Sequence, residues 1–557
     1  MAANRLIYLP LGGAGEIGMN CYVYGYGPKN KERFIIVDLG VTFPDMESSP
    51  GVNLIFADAQ WIIDRIDRVE AIFITHAHED HIGALGILWG RIPVKVYARA
   101  FTAAIARLKL EDQGRTTDCV HEVAAYPETV KAGPFTVSFL PVAHSIPESS
   151  ALVIDTPDGR LVHTGDFKLD GAPLVGEAFD PKLWQEVAKK GVRAMICDST
   201  NIFSPLPGRS ESTLIGPITD LVRSAEGLVV ATTFASNVAR LKTLAQAGVD
   251  AGRTVLVLGR AMQRMIAVAQ STGVLTNFPP TVSLDESDDV PRGNLMILVT
   301  GSQGERRAGS AQMANGKYNG ITLREGDMFL FSSKTIPGNE VSVGRIINKY
   351  SEMGVDVVED YNGKYHVSGH ANRPDLEALH DLMKPQFLIP MHGEHRHLRE
   401  HAKIAEASGI KAVIAPNGTM VDLSGNAPRI VDQIEAGRSY LDGAVLIGAM
   451  DGIVRDRIRM ALNGQVVVGI IIDEQDEPLG GAWVETTGLP DPAGGQHTLA
   501  ELMEEGIEYQ MSRATDKMIM SDDALEELIR RAVRQIAKET IGKKPEVQVL
   551  INRLVAA

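Results

Sequence analysis

The feature that most limits the fold of this chain is a run of metal-binding side chains, Thr75-His76-Ala77-His78-Glu79-Asp80-His81, which ends an apolar segment, Ala71–Thr75. On an extended strand end His76 and His78 point the same way, and the next turn brings Asp80 and His81 toward a second point. Imidazole and carboxylate together suit Zn²⁺ or Mn²⁺. Behind a buried strand, such a run favours a metal centre over a solvated histidine-rich loop.

Other candidate ligands also follow apolar segments. His144, Asp166 and His392 each lie where a predicted strand ends. Any one of them, taken alone, is as consistent with an ordinary polar loop residue as with a ligand. A metal needs more ligands than one loop supplies, so the three positions are candidates for completing the centre.

The remaining pattern predicts an α/β protein. Up to about residue 200 the chain is rich in short apolar strands, and from Leu228 strands alternate with helical stretches, which is typical of βαβ units. Near the end of the chain the pattern predicts two strands, Gln465–Ile472 and Ala482–Thr487. It also predicts an amphipathic helix, Asp522–Lys538, capped by Ser521.

Composition excludes several classes of protein. No apolar run approaches the ~18 residues of a membrane span, so no membrane partner is expected. Three widely spaced cysteines argue against a disulfide framework and favour a reducing, cytoplasmic location. The net charge of −15 disfavours nucleic acid as a partner, but bound cations can dominate a site inside an acidic protein.

The order of the motifs resembles one family. The histidine run and the segments that follow it are similar to the metallo-β-lactamase superfamily, and within it to the β-CASP nucleases, specifically bacterial ribonuclease J. The resemblance also rests on Leu11–Asn20, Phe34–Gly40 with Asp38, Cys197–Asn201, Thr232–Asn237, Thr300–Glu305, Ile336–Glu340 and His366–Ala371. The segment Arg306-Arg307-Ala308-Gly309 departs from the family pattern by its added positive charge.

The resemblance implies an α/β fold: a metallo-β-lactamase αββα sandwich, an inserted β-CASP α/β domain and a small α+β C-terminal domain. It places the sandwich at residues 1–206 and 368–442, the insertion at 207–367 and the C-terminal domain at 443–557. From Asp451 onward 19 acidic residues outnumber 12 basic ones. This excess suits a contact domain for another subunit better than an RNA-binding tail.

The resemblance also implies a two-metal site. The cofactors would be two divalent ions per subunit, with Zn²⁺ the first expectation and Mn²⁺ or Mg²⁺ the alternatives. His76, His78 and His144 would hold one ion, Asp80, His81 and His392 the other, and Asp166 would bridge them. Asp80, Asp198 and His370 would be catalytic, with Asp198 orienting a ligand histidine.

The resemblance also implies a set of RNA contacts: His366, Val367, Ser368, Gly369, His370, Ala371, Ser333, Asn339, Phe234 and Ser236. Small residues in the Ser368–Ala371 loop would let backbone N–H groups approach a phosphate.

The activity implied is metal-dependent hydrolysis of RNA, by hydroxide attack on the phosphodiester. The expected enzyme is a 5′→3′ exonuclease and endonuclease acting on single-stranded, 5′-monophosphorylated RNA in mRNA decay and rRNA maturation. The implied partners are RNA and further copies of the chain, as a homodimer or homotetramer through the C-terminal domain, and a place in an RNA-decay complex stays open. The alternatives are a small-ester or lactone metallohydrolase and a non-catalytic scaffold of such a complex.

The other histidines carry weaker signals. His395, His397 and His401 lie on one helical stretch without a carboxylate pattern, so a solvated helix face is predicted there. His163 is equally consistent with a residue that supports the metal ligands and with an ordinary core histidine.

Overall fold

The computed structural model of the chain describes residues 4–555, and its elements follow the α/β pattern. The strands are β1 (Asn4–Gly12), β2 (Ala14–Gly15), β3 (Cys21–Pro28), β4 (Arg33–Val37), β5 (Val41–Thr42), β6 (Leu54–Ala57), β7 (Val69–Phe73), β8 (Lys95–Ala98), β9 (Val120–Glu122), β10 (Val130–Ala132), β11 (Phe135–Pro141), β12 (Ser150–Thr156), β13 (Gly159–His163), β14 (Ala194–Asp198), β15 (Val229–Thr232), β16 (Thr254–Leu258), β17 (Leu295–Val299), β18 (Met328–Phe331), β19 (Asp356–Val358), β20 (Phe387–Met391), β21 (Gly393–Glu394), β22 (Lys411–Ala412), β23 (Thr419–Asp422), β24 (Arg429–Gln433), β25 (Arg438–Asp442), β26 (Val445–Gly448), β27 (Gln465–Ile472), β28 (Trp483–Thr487) and β29 (Glu546–Arg553).

The helices connect these strands. They are α1 (Gln60–Ile63), α2 (Glu79–Ile82), α3 (Leu85–Leu88), α4 (Ala100–Glu111), α5 (Pro181–Lys189), α6 (Ile215–Ser224), α7 (Val238–Asp250), α8 (Arg260–Ser271), α9 (Leu284–Ser287), α10 (Gly309–Ala314), α11 (Glu340–Glu352), α12 (Arg373–Met383), α13 (His395–Ala407), α14 (Ile453–Asn463), α15 (Leu499–Met511), α16 (Asp516–Ile519) and α17 (Asp522–Ile541), with 3₁₀ turns at Ile66–Arg68, Glu211–Leu214 and Arg292–Asn294.

Two sheets pack face to face through apolar side chains. One has the order β24-β23-β1-β3-β4-β7-β8-β9 and the other β10-β11-β12-β13-β14-β20-β22. Ile35 and Phe73 of the first sheet share a core with Phe139 and Ile196 of the second. Helix α4 packs on the first sheet, and α5, α12 and α13 cover the outer face of the second. This confirms the αββα sandwich, whose shared core lies between the sheets.

A third sheet lies in the sequence between the two parts of the sandwich. Its order is β16-β17-β15-β18-β19, and every neighbouring pair is parallel, as the alternation of strands and helices predicts. Side chains of α10 and α11 complete its core. Because parallel strands end at one edge, the loops after β15 and β18 lie side by side there.

The chain divides into two units. One runs to Thr42 and continues over Phe56–Arg438, so it holds both the sandwich and the third sheet; the other comprises Phe43–Ile55 and the chain from Ser439. In the second unit, the sheet β28-β27-β29 packs one face on α15 and α17. No helix among residues 4–555 has the length and apolarity to cross a bilayer.

Predicted and observed elements differ mainly at their ends. Strand β7 ends at Phe73, so His76 and His78 lie in a loop and not on an extended strand end as the sequence suggested. Helix α17 continues to Ile541, three residues beyond the predicted end, and stops at Gly542 with a φ of 71°. Its predicted cap is confirmed, since the Ser521 side chain accepts the Ala524 N–H.

Candidate metal centre and active site

The histidine loop is held in shape by one buried carboxylate. Asp38 follows β4 and accepts hydrogen bonds from the Thr75 backbone N–H at 2.8 Å and the Thr75 hydroxyl at 2.9 Å. It also lies 2.7 Å from His81 Nδ1. Asp38 therefore stabilises the loop. Because it accepts a hydrogen bond from the Nδ1–H of His81, it leaves His81 Nε2 as the ligand atom.

One group of candidate ligands contains His76, His78, His144 and Asp166, whose ligand atoms lie within 4.8 Å of one another. His78 Nδ1 is 3.2 Å from His76 Nε2 and 3.1 Å from His144 Nε2. His144 comes from the loop after β11 and Asp166 from the loop after β13, at the edge of the second sheet. Three imidazole nitrogens thus converge on one point.

The partners of these rings fix the tautomers. His144 Nδ1 lies 2.6 Å from the Gly369 carbonyl, which can only accept, so His144 Nε2 carries a lone pair. The Thr75 hydroxyl donates to Asp38 and so accepts from His76 Nδ1 at 3.0 Å, which leaves His76 Nε2 with a lone pair as well. Burial lowers the pKa of both histidines well below the usual value, and it lowers the pKa of His78 to about 4. Neutral rings with lone pairs facing each other fit a divalent cation.

The second group contains Asp80, His81, Asp166 and His392. His392 follows β20 with a φ of 51°, and its Nε2 lies 3.1 Å from Asp80 Oδ2. Asp166 Oδ2 is 3.1 Å from His81 Nε2, and it is 3.9 Å from His76 Nε2 and 3.8 Å from His144 Nε2 of the first group. The same carboxylate oxygen therefore lies between both sets of ligands.

The carboxylates of the second group create a negative potential that favours cations. Burial alone lowers the pKa of His392, but the carboxylates of Asp166, Asp198 and Asp80 outweigh burial and raise it to about 10. Asp166 Oδ1 is buried and lies 3.1 Å from His392 Nδ1, but it accepts no well-aligned hydrogen bond. Buried carboxylates without enough donors favour positive charge, so this group also fits a metal ion.

His370 stands beside both groups. Its Nδ1 is 2.7 Å from Asp198 Oδ2, and its Nε2 is 4.0 Å from Asp166 Oδ2. Burial lowers the pKa of His370, but Asp198 and then Asp166 outweigh burial and raise it. Asp198 thus lies nearest to His370, and its other carboxylate oxygen is 3.6 Å from Nδ1 of the candidate ligand His392.

The loop Ser368–Ala371 differs from the expected phosphate nest. The His370 N–H donates to Ser368 Oγ at 3.1 Å, and the Ala371 N–H donates to the Phe167 carbonyl at 2.6 Å. Val367 and Ala371 are buried. Asn201, which the sequence did not single out, donates to Ser368 Oγ at 2.7 Å and to the His370 carbonyl at 3.3 Å. Two N–H groups of the proposed nest are thus already used within the protein.

The other predicted RNA contacts lie at the strand ends of the third sheet. Phe234 and Ser236 are half-buried after β15, and Ser333 is buried after β18. The Asn339 amide donates to Gln303 Oε1 at 3.2 Å, and Gln303 also accepts the Ile336 N–H at 2.8 Å. His366 is half-buried and lies 3.1 Å from the guanidinium of Arg240, another residue that the sequence did not indicate.

The prediction of a solvated face on α13 is wrong for two of its three histidines. His395 is exposed, but His397 packs on Phe203, and His401 is fully buried. His401 Nδ1 is 2.9 Å from Ser199 Oγ, and its Nε2 is 3.1 Å from His380 Nε2, with the two rings within 10° of parallel. An ordinary N–H···N hydrogen bond accounts for this pair, although the Cys197 thiol lies nearby.

His163 is also a core histidine. Its Nδ1 is 2.8 Å from the Tyr24 hydroxyl, while its Nε2 is buried without a hydrogen-bond partner. Burial lowers the pKa of His163 to about 3, so the ring is neutral. No direct hydrogen bond joins it to a candidate ligand among the described residues.

Four segments of the chain match known protein families. Residues 15–198 match the metallo-beta-lactamase superfamily and residues 226–350 the beta-CASP domain of ribonuclease J. Residues 356–416 match the RNA specificity domain of Zn-dependent metallo-hydrolases, and residues 452–554 match the ribonuclease J C-terminal domain.

Curated relatives of the chain include proteins named ribonuclease J, ribonuclease J 1 and ribonuclease J2. The chain is 39% identical to ribonuclease J of Sinorhizobium meliloti over 99% of this chain and 98% of the relative. It is 34% identical to ribonuclease J 1 of Streptococcus pyogenes over 84% of each chain, and 30% identical to ribonuclease J2 of Bacillus subtilis over 98% of each. A solved structure of unknown function from Enterococcus faecalis shares the fold, with a TM-score of 0.52 at 17% identity over 75% of this chain and 100% of that one.

Proposed function

The chain belongs to the ribonuclease J family and is a metal-dependent ribonuclease, and from that premise we propose its substrate and mode of action. The proposed activity is 5′→3′ exonuclease and endonuclease cleavage of single-stranded, 5′-monophosphorylated RNA. The proposed roles are mRNA decay and rRNA maturation in the cytoplasm.

The proposed metal ligands are those of the two groups. His76, His78 and His144 would hold one ion, Asp80, His81 and His392 would hold the other, and Asp166 would contribute to both. Zn²⁺ is the first choice, and Mn²⁺ or Mg²⁺ the alternatives, because imidazole and carboxylate accept all three to different degrees. Two such ions, when bound, lower the pKa of water and neutralise charge that develops on the phosphoryl oxygens.

The single observation that carries the proposal is the place of His370. Asp198 accepts a hydrogen bond from the Nδ1–H of His370. The second N–H of the imidazolium is therefore at Nε2, which lies 4.0 Å from the shared Asp166 oxygen. We assign to this Nε2–H a hydrogen bond to the scissile phosphate and proton transfer to the leaving O3′. Cleavage of the P–O3′ bond leaves a 5′-phosphate on the downstream RNA.

The RNA contacts are proposed for loops from both domains. Four of them lie at one edge of the third sheet, where the loops after β15 and β18 contain Phe234, Ser236, Ser333 and Asn339. The segment His366–Ala371 connects that sheet to the metal centre. A half-buried Phe234 suits base or ribose contact, since base stacking on aromatic rings tolerates any sequence. Stacking of this kind needs unpaired bases, so it favours a single strand over a duplex.

Assembly is proposed through the second unit, as a homodimer or homotetramer. Trp483 and Leu550 both pair with Gly469 of β27, so they lie on one face of the sheet β28-β27-β29, opposite the face covered by α15 and α17. Ile471 lies on the same face, and all three large side chains are exposed. Such an apolar face is typical of a subunit contact.

Digestion of labelled RNA tests the proposal. We expect mononucleotides to be released faster from a 5′-monophosphorylated oligoribonucleotide than from its triphosphorylated form, and a blocked-end RNA to be cut internally. A lactone or thioester substrate tests the alternative metallohydrolase activity in parallel. Equal rates on both 5′ ends, or release of products from the 3′ end, would contradict the proposed polarity.

A further inference from the structure

Arg240 carries a charge in the interior of the third sheet's domain. It lies in the first turn of α7, and its side chain is fully buried. Glu211, itself buried, takes two of its N–H groups, at Arg240 Nε and at Nη2, the latter 2.9 Å from Glu211 Oε2. A buried ion pair is a costly way to fill a core, so its remaining contacts indicate why a guanidinium stands here.

The other N–H groups of Arg240 reach two chain segments that carry proposed RNA contacts. Nη1 donates to the Ser332 carbonyl at 2.7 Å and to the Ser332 hydroxyl at 3.1 Å, next to Ser333. Nη2 lies 3.4 Å from the Val367 carbonyl, one residue before the Ser368–Ala371 loop. The Ser332 hydroxyl donates in turn to the Tyr365 carbonyl at 2.7 Å. Arg240 thus ties the end of β18 to the segment that leads to His370.

The same guanidinium determines the state of one imidazole. Nη1 of Arg240 points a hydrogen at His366 Nδ1 across 3.1 Å. Because a guanidinium only donates, His366 Nδ1 must accept and the ring proton must be on Nε2. Burial first, then the charges of Arg240, Lys334 and Lys168, lower the pKa of His366 well below its usual value, and only the Ser332 backbone opposes them. The ring is therefore a neutral donor of one N–H group.

We propose that Arg240 is a positioning residue for RNA binding. By donating to His366 Nδ1 it holds the His366 Nε2–H available to an RNA phosphate oxygen. By joining β18 to the 365–367 segment it fixes the spacing between the two segments that carry proposed RNA contacts. The inference rests on the proposed function for the identity of the ligand, which is RNA. A phosphate oxygen of RNA is a strong acceptor for the His366 Nε2–H. Glu211 keeps the guanidinium charge paired.

A double substitution separates positioning from stability. Removing Arg240 alone leaves Glu211 buried and unpaired, so the protein could simply unfold. Replacing both, Arg240→Met with Glu211→Met, substitutes an apolar pair that such a site often tolerates. We expect this double variant to unfold cooperatively, to lose no more stability than the Arg253→Met control, and to keep two bound metals. Its KM for a single-stranded 5′-monophosphorylated RNA should rise at least about tenfold, the scale of one hydrogen bond to a charged phosphate, with a smaller change in kcat.

Two further variants sharpen the test. His366→Gln places an amide N–H₂ near the former Nε2 and should retain most of the affinity, whereas His366→Asn places its amide near the former Nδ1 and should not. Arg253→Met is the matched control, because Arg253 is also buried and donates to backbone carbonyls of Val222, Gly227 and Leu295, but precedes β16 at the opposite strand ends. It should lower stability without raising the KM.

The ring state can be measured without activity. Nitrogen-15 NMR of histidine-labelled protein, with the His366→Gln variant for assignment, should find a neutral Nε2–H tautomer at His366 that is lost in the double variant. A proton on Nδ1 in the wild type, or a double variant with wild-type KM, overturns the inference. Wild-type protein that fails to cleave RNA would instead contradict the proposed function, and the tautomer result would still stand.

Discussion

Gly369 lies against the imidazole of His144. Its carbonyl accepts the His144 Nδ1 proton at 2.6 Å, and a Cβ built on Gly369 would stand 2.9 Å from His144 Nδ1 and Cε1. Real Cβ atoms essentially never come that close to another atom, so any side chain here must displace a proposed metal ligand. The absence of a side chain at residue 369 thus lets the His144 ring keep its place among the candidate ligands.

The first prediction follows from this contact. Gly369→Ala should lower the metal content and reduce exonuclease and endonuclease rates together, because the His144 ring must move. Gly344→Ala is a matched control inside α11, because a Cβ there has nothing within 4 Å. Full metal content in Gly369→Ala, measured by mass spectrometry of bound metals, would contradict the prediction.

Substitution of the shared carboxylate should affect both ions. Asp166→Ala is expected to lose two metals per chain and all cleavage, since Asp166 Oδ2 lies near ligands of both groups. His76→Ala and Asp80→Ala should each abolish cleavage and lower the metal content less. His395→Ala, exposed on α13 and outside both groups, should bind metals and cleave RNA like the wild type.

His370 should behave differently from the ligands. His370→Ala is expected to keep both metals and to lose cleavage by roughly 10²–10⁴-fold, the usual scale for a general acid or a hydrogen-bond donor to developing charge. Asp198→Asn should reduce cleavage as well, because His370 then loses the carboxylate that orients it. A loss of metal from His370→Ala would make it a ligand instead.

The exposed face of the sheet β28-β27-β29 predicts how the protein assembles. Trp483→Glu combined with Leu550→Glu should shift the molar mass in analytical ultracentrifugation toward one chain, because charge on that face opposes apolar contact. Tyr509→Glu, also exposed in the second unit but on α15, is the control. Unchanged molar mass of the double variant at every concentration would refute this interface.

The buried His380–His401 pair predicts a pH dependence of stability. Burial lowers the pKa of His401 well below its usual value and that of His380 to about 4, so the unfolded chain binds more protons below pH 6.5. Stability from His380 is therefore complete above pH 6.5 and falls by up to about 1.4 kcal/mol per pH unit as the pH drops toward 4. Denaturant unfolding of His380→Gln should have a flatter slope over that range than the wild type.

Many local features of the fold were predictable from the sequence. Apolar periodicity located strands such as β27, whose bounds match the prediction at both ends, and Ser521 marked the start of α17. The histidine run and the order of the later motifs identified the family and the donor types, because metal chemistry restricts which residues can appear together. Neither prediction needed any knowledge of how distant segments meet.

Only the tertiary structure decided how those residues act on one another. Residues far apart in the chain, such as Asp80 and His392, meet because the two sheets of the sandwich present their loops at one edge. The tautomers of His76 and His144 depend on Thr75 and on the Gly369 carbonyl, and the burial of His401 depends on Ser199 and His380. Local sequence specifies which donors and acceptors a segment carries, whereas packing between segments determines which of them pair. The hydrogen bond from Arg240 to His366 joins residues 126 positions apart, so only the tertiary structure could reveal it.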